Sequence, residues 1–355
     1  MHKTLPSVLG TLLVLTLLLA ACAPGAPPAS PTPTAAAKAA ATTPTTKPAP
    51  TTAPPTPTPR PQTLKMATPS TGLVEMAQQI AKKKGFYAQE NLEVEITRVA
   101  PDVAVKGLAG GELDFIFVLG SAVRAAAAGV PVKTVLATIS KPYHVLVVRP
   151  EIREGKDLKG KVFGVASPGD SPTQMIRAAL KHYGLDPEKD GTIVTLGGNP
   201  ERMAGLKGGV VQGTVLEPLY AIKAENEGMK QLLKMADIMD MPLAGLSVSD
   251  KMIKERPDVI LRTVRATVKG LKYLKDPKNK DEIIDHMVTD LKVTKEEAAA
   301  TYPDIIRAFS EDGIPAEAAV MKEVQTAIET AGAKAGTTIS DVYDYSFSKK
   351  VKEGG

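Results

Sequence analysis

Three stretches of the chain share one pattern: a short apolar run, a loop of small and hydroxyl residues, then apolar positions at helical spacing. They are residues 64–77 (LKMATPSTGLVEMA), 113–126 (LDFIFVLGSAVRAA) and 161–176 (KVFGVASPGDSPTQMI). Each predicts a strand that hands over to a helix, with unpaired N–H groups at the helix start free to meet a ligand. The same alternation runs on, with predicted strands at 94–99, 132–139, 144–148, 192–196, 213–216 and 230–234. Helices are predicted to start near Pro200 and Pro218. The run 113–118 is too apolar to alternate, which suits a parallel sheet covered on both faces. From Ser249 onward the pattern is helical only. Val259, Leu261, Val264, Val268 and Leu271 mark one face of a long helix that Asp276-Pro277 ends, and further helices are predicted at 281–291, 294–309 and 315–331. Strands alternating with helices, then helices alone, predict an α/β protein.

The ends of the chain differ in kind. Residues 8–21 are apolar but too few to span a bilayer comfortably, and small residues follow, which predicts a secretory signal. Leu19-Ala20-Ala21-Cys22 resembles a bacterial lipobox, so residues 1–22 are expected to be a lipoprotein signal and Cys22 the acylated residue; the alternative is a free or buried thiol. Residues 23–62 hold 13 of the 29 prolines among Thr, Ala and Ser, with almost nothing to bury, and are expected to form a disordered tether whose Thr/Pro content is compatible with glycosylation.

Charge narrows the function. The net +5 of the 355 residues includes Lys3, Lys38, Lys47 and Arg60 of the first 62, which contain no acid, so about +1 remains for the rest. With no basic stripe and no aromatic platform, nucleic acid is excluded as a partner. Cys22 is the sole cysteine, which excludes a disulfide and a cysteine-based metal site, and the histidines at 2, 144, 182 and 286 have no metal spacing. No metal and no cofactor are expected.

Five blocks, KKKGFYAQENLEVEI (82–96), GGELDFIFV (110–118), DLKGKVFGV (157–165), VLEP (215–218) and ERPDVILRTVRATVKGLKYL (255–274), resemble the periplasmic substrate-binding proteins of ABC importers. Within them the chain is similar to the branch that binds nitrate, alkanesulfonates, taurine and thiamine-precursor pyrimidines. The resemblance implies a two-lobed periplasmic-binding-protein fold of type II, with two crossover hinge strands and C-terminal helices packing on lobe one. Lobe one would comprise residues 63–142 plus 249–345, and lobe two 143–248, with crossings near 143–147 and 245–248. It also implies an extracytoplasmic, lipid-anchored monomer that takes a small-molecule ligand (sulfonate, taurine-like, organic acid or pyrimidine-like) to ABC permease subunits. Two alternatives accompany this reading: an enzyme like the eukaryotic relative that makes the thiamine pyrimidine, and a ligand sensor independent of transport. The first lacks that relative's cysteine motif here.

The expected ligand-binding residues are Ser70, Thr71, Gly120, Ser121, Gly169, Asp170, Ser171 and Thr173, each at a strand-to-helix handover, with Tyr143, His144 and Glu217 added on the resemblance. Each has a structural alternative. Ser171, ahead of Pro172, fits an N-cap; Asp170 caps equally well and would oppose an anion. Glu217 precedes a proline and can accept from a ligand N–H or cap the next helix. Leu216 stands where the family often has an aromatic residue. Arg124 and Lys141 are the cations near the expected cleft, and a neutral or zwitterionic guest fits it at least as well as a bare anion.

Overall fold

A computed structural model describes residues 61–68, 72–166, 169–330, 332–334 and 336–354. The expected signal, Cys22 and nearly all of the tether lie outside these residues, as do Ser70 and Thr71. The first half-set of elements is β1 (Gln62–Thr68), α1 (Met76–Lys83), α2 (Phe86–Gln89), β2 (Leu92–Arg98), α3 (Pro101–Gly110), β3 (Phe115–Ile116), α4 (Leu119–Ala127) and β4 (Val132–Ile139). The second is β5 (Val145–Val148), β6 (Lys161–Val165), α5 (Ser171–His182), β7 (Gly191–Thr195), α6 (Asn199–Lys207), β8 (Gly213–Leu216), α7 (Pro218–Asn226) and β9 (Lys230–Lys234). Then come β10 (Ala244–Ser249), α8 (Asp250–Glu255), α9 (Pro257–Lys275), α10 (Lys280–Leu291), α11 (Lys295–Ala308), α12 (Glu317–Thr330), α13 (Ile339–Val342) and α14 (Ser346–Glu353).

The strands form two five-stranded sheets, β2-β1-β3-β10-β4 and β7-β6-β8-β5-β9. The orders are the same when the first sheet is counted from β1 and the second from β6, with β10 and β5 in matching places. In each sheet four strands run in one direction and the strand in fourth place, β10 or β5, is antiparallel to both its neighbours, with β10 returning to the first sheet after the second is complete. The chain therefore passes between the sheets twice, after β4 and after β9. Residues 244–248, expected to contain the return crossing and to close lobe two, belong to the first sheet, because β10 fills its antiparallel slot. The crossing itself occupies 235–243. At the bulge where β10 meets β4, a Cβ on Gly245 would stand 2.1 Å from the Leu136 carbonyl oxygen, so only glycine lets these backbones approach.

Each sheet carries its own core. On one face of the first sheet, Leu64, Met66, Phe115, Leu246 and Val248 bury against Val259, Ile260 and Val264 of α9. The other face packs Ile116, Leu119 and Val123 against Val320 and Val324 of α12. The C-terminal helices thus cover lobe one, since the long apolar stripe of α9 has this sheet to bury against. The second sheet buries Leu146, Phe163, Val165 and Val215 against Met175 and Ile176 of α5, and Val145, Val147 and Leu216 against Leu206. Two separate cores joined by two connections make a two-lobed α/β protein. The apolar run 113–118 yields only two paired strand residues, although Phe115 to Leu119 are all buried. Its apolar character reflects burial rather than strand length.

Candidate functional site

The parallel strands of the second sheet end at one edge, and the polar residues collect there. β5 runs antiparallel, and the pairing of Val145 with Leu216 places its preceding residue, His144, beside Glu217. β6 leads through Gly169 (φ 74°) to Asp170, whose carboxylate caps α5 by accepting from Thr173 N–H at 2.7 Å. Ser171 is therefore not the N-cap but the first helical residue, and Asp170 holds the cap position. β7 leads to Asn199 at the start of α6. Its side-chain oxygen accepts from the Arg202 guanidinium at 2.8 Å and from Glu217 N–H at 3.2 Å, and its side chain also bonds the Glu217 carboxylate. Glu217 occupies the N-cap position of α7, yet its side chain makes no capping bond. Its role there is set by Asn199.

This edge is desolvated. Burial pushes the Glu217 carboxyl up, against the stabilising bond from Asn199 and the charge of Arg202. Burial pulls the Arg202 guanidinium down, while Asp170, Glu217 and Glu201 work the other way. His144 is lowered to about 3, first by burial and then by Arg202, so it is neutral at physiological pH. Its ring stacks on Tyr143 with centroids 4.7 Å apart and planes 14° off parallel, and burial, then Glu217, holds the Tyr143 phenol neutral. Arg202 is 3% exposed and His144 8%. Among the described residues, Arg202 Nε and Nη1 and His144 Nδ1 find no hydrogen-bond partner. Buried polar groups left open in this way cost stability unless something fills them.

Between the lobes a cavity of about 20 Å³ is lined from one side by Gly120, Arg124 and Glu323 and from the other by Ser171 and Gln174 of α5, with Met241 and Pro242 of the return crossing; Glu217, Arg202 and His144 do not line it. Arg124 donates to the Ser121 hydroxyl at 3.2 Å. A Cβ on Gly120 would lie 3.5 Å from Arg124 Nη1 and 3.9 Å from Glu323 Oε1, so cation and carboxyl flank the bare backbone. Burial raises Glu323 to about 8, although the Tyr343 hydroxyl donates to it and Arg124 is near. Also on this lobe, the amide of the fully buried Gln78 and the hydroxyl of Thr138 have no partner among the described residues. Lys141 is half exposed and pairs with Asp240 at 3.4 Å.

The expected residues of lobe two, Tyr143, His144, Gly169, Asp170, Ser171, Thr173 and Glu217, thus gather along one edge, and Gly120 and Ser121 lie on the opposing lobe. Asn199, Arg202 and Glu323 were missed. The first two sit in GGNPER (197–202), a fourth strand-to-helix handover of the same grammar as the other three. Glu323 shares a helical stripe with buried Val320, Val324 and Ala327, and an acid on an apolar face was the available signal. Among the described residues no three His, Cys, Asp or Glu side chains gather as metal ligands, and no helix is long and apolar enough to cross a membrane.

Known proteins place this architecture. The putative sulfonate ABC transporter periplasmic sulfonate-binding protein SsuA of Methylobacillus flagellatus superposes with a TM-score of 0.68 at 16% identity, covering 83% of this chain and 95% of that one. The periplasmic nitrate-binding protein NrtA of Synechocystis gives 0.62 at 15%, covering 82% and 89%. At these identities the likeness establishes the fold, that of periplasmic binding proteins. Riboflavin-binding protein RibY of Chloroflexus aurantiacus is 26% identical over 204 residues, which are 54% of this chain and 56% of that protein. The match thus spans little more than half the length of that relative. The model of the family described as NMT1/THI5 like matches residues 76–280, from α1 to the start of α10. This chain belongs to the NMT1/THI5-like family.

Proposed function

We propose that the protein is a lipid-anchored extracytoplasmic receptor that captures a small organic ligand between its lobes and delivers it to an ABC importer. The observation that carries this reading is the pairing of two like sheets, each with buried side-chain groups that have no partner among the described residues: Gln78 and Thr138 on the first lobe, Arg202 and His144 on the second. Such groups are matched by a ligand when the lobes close. The similarity to ABC-type binding proteins supports the same reading. In it, lobe one is the first sheet with α8 to α14, lobe two is the second sheet, and residues 140–144 and 235–243 are the hinge. Ser70, Thr71, Gly120 and Ser121 contact the ligand from lobe one, and Tyr143, His144, Asp170, Thr173 and Glu217 from lobe two. Cys22 carries the anchor, and residues up to 60 give the binding domain reach from the membrane to the permease.

Calorimetric titration of the full chain with taurine, alkanesulfonates, aromatic acids, pyrimidines and riboflavin, paired with solution scattering, tests the reading. Saturable binding of one compound with a decrease in radius of gyration is expected. Absence of ligand-linked compaction across the panel, or chemical turnover of the bound compound, refutes it. Loss of lipid labelling in Cys22→Ser tests the anchor.

A further inference from the structure

Arg202 is a buried cation with work left undone. One of its nitrogens is taken by Asn199, while Nε and Nη1 have no partner among the described residues although the side chain is 3% exposed. A guanidinium held out of water with two nitrogens unbonded demands acceptors. The groups around it decide which kind. Asp170, Glu217 and Glu201 all lie close enough to act on it, so the cation already has acidic neighbours. A sulfonate or nitrate brought to Arg202 would be placed among these carboxylates, out of water, where like charges repel most. A neutral carbonyl oxygen satisfies the same N–H groups without that repulsion. Glu217 sits beside Arg202, fixed by the same asparagine, and as an acceptor it calls for a ligand N–H.

We propose that Arg202, held by Asn199 next to Glu217, is the ligand's anchor on the second lobe, and that the trio reads a neutral planar edge in which a carbonyl lies beside an N–H: a ureide, cyclic imide or pyrimidinone. Asn199 is a positioning residue, bonded to both side chains and free of any need to touch the ligand. This rests on the reading of the protein as a receptor that closes on a small molecule. It adds the class of that molecule and assigns its discrimination to a residue that composition and spacing did not single out.

The test is titration of the full chain with uracil, hydantoin and riboflavin, which carry this edge, with 1,3-dimethyluracil, which lacks the imide N–H, and with taurine, ethanesulfonate and nitrate. At least one imide is expected to bind more tightly than every anion, and dimethyluracil to bind roughly tenfold or more weakly than uracil. Arg202→Met should weaken the imide roughly tenfold to a hundredfold, with partial recovery in Arg202→Lys. Tighter binding of an anion than of every imide, failure of all imides to bind, or an unchanged imide affinity in Arg202→Met overturns the proposal. If Arg202→Met does not fold, the imide that binds and its N-methylated analogue (for uracil, 1,3-dimethyluracil) on the unaltered protein decide alone, equal binding of the two overturning it. Compaction with some other metabolite would keep the receptor reading while removing this one, and no compaction with anything would remove both.

Discussion

Glu323→Gln is the sharpest probe of the lobe interface, because it replaces a titrating carboxyl by its uncharged isostere. Burial holds the Glu323 carboxyl at about 8, against an ordinary value near 4.5. The folded protein therefore keeps this proton at pH values where the unfolded chain has lost it. Its contribution is complete below about 4.5 and is lost as the pH rises toward 8. At roughly 1.4 kcal/mol per pH unit, the span amounts to at most about 5 kcal/mol. Partial solvent access to the side chain reduces that figure. Tyr343 and Tyr345, which face the carboxyl, are held well above their ordinary value by burial and stay neutral throughout. Glutamine keeps an oxygen to accept from Tyr343 but cannot ionise beside Arg124. Denaturant unfolding of both proteins at half-unit steps from pH 5 to 8.5 is the assay. The two stabilities should agree near pH 5 and diverge as the pH rises, with the variant ahead by about 2–5 kcal/mol at pH 8. Other titrating groups cancel in the difference. A gap that does not change with pH would refute the reasoning.

His144 supplies the opposite slope. Its folded value near 3 lies below the ordinary 6.5, so its contribution is present above 6.5 and is lost as the pH falls toward 3. Relative to His144→Asn, the unaltered protein should lose up to about 5 kcal/mol across that window, and coincident acid-unfolding curves would count against it. The pairs Lys234–Asp304 at 2.8 Å and Arg307–Asp237 at 2.7 Å join β9 and the return crossing to α11 on the other lobe. Because they are partly exposed, replacing Asp237 and Asp304 by Asn should cost under about 1 kcal/mol per pair in stability, yet enlarge the ligand-free radius of gyration. An unchanged radius would remove their role as a lobe bridge. Gly245→Ala puts a methyl 2.1 Å from a backbone oxygen, so the denaturation midpoint should fall by the equivalent of about 2 kcal/mol or more. A loss under about 0.5 kcal/mol would mean that the β10–β4 contact relaxes freely.

Much of this protein is legible in one dimension. The strands at 132–139, 213–216 and 230–234 stand where the apolar runs place them, and α9 begins at Pro257 and ends before Asp276 as its stripe and breakers require. Local signals suffice there because periodicity, proline and glycine act within a few residues. The helix starts at 169–173 and 120–121 are also legible as handovers from strand to helix. What spacing did not reveal was the partner of each polar group. Ser171 and Asp170 were equal as caps in sequence, and a 2.7 Å contact to Thr173 N–H decided for Asp170. Residues 245–248 are expected only as the return crossing that the resemblance implies and not as a strand of the first sheet, because the slot between β3 and β4 is filled by pairing with residues more than 100 positions away. The sequence by itself determined the two α/β sets, the helical C-terminal third and the edge where the polar loops end. Only the tertiary structure decided that Asn199 ties Arg202 to Glu217, that Arg202 keeps two buried nitrogens open, and that Glu323 faces the second lobe. Burial and hydrogen-bond partnership are relations between distant residues, and no local pattern carries them.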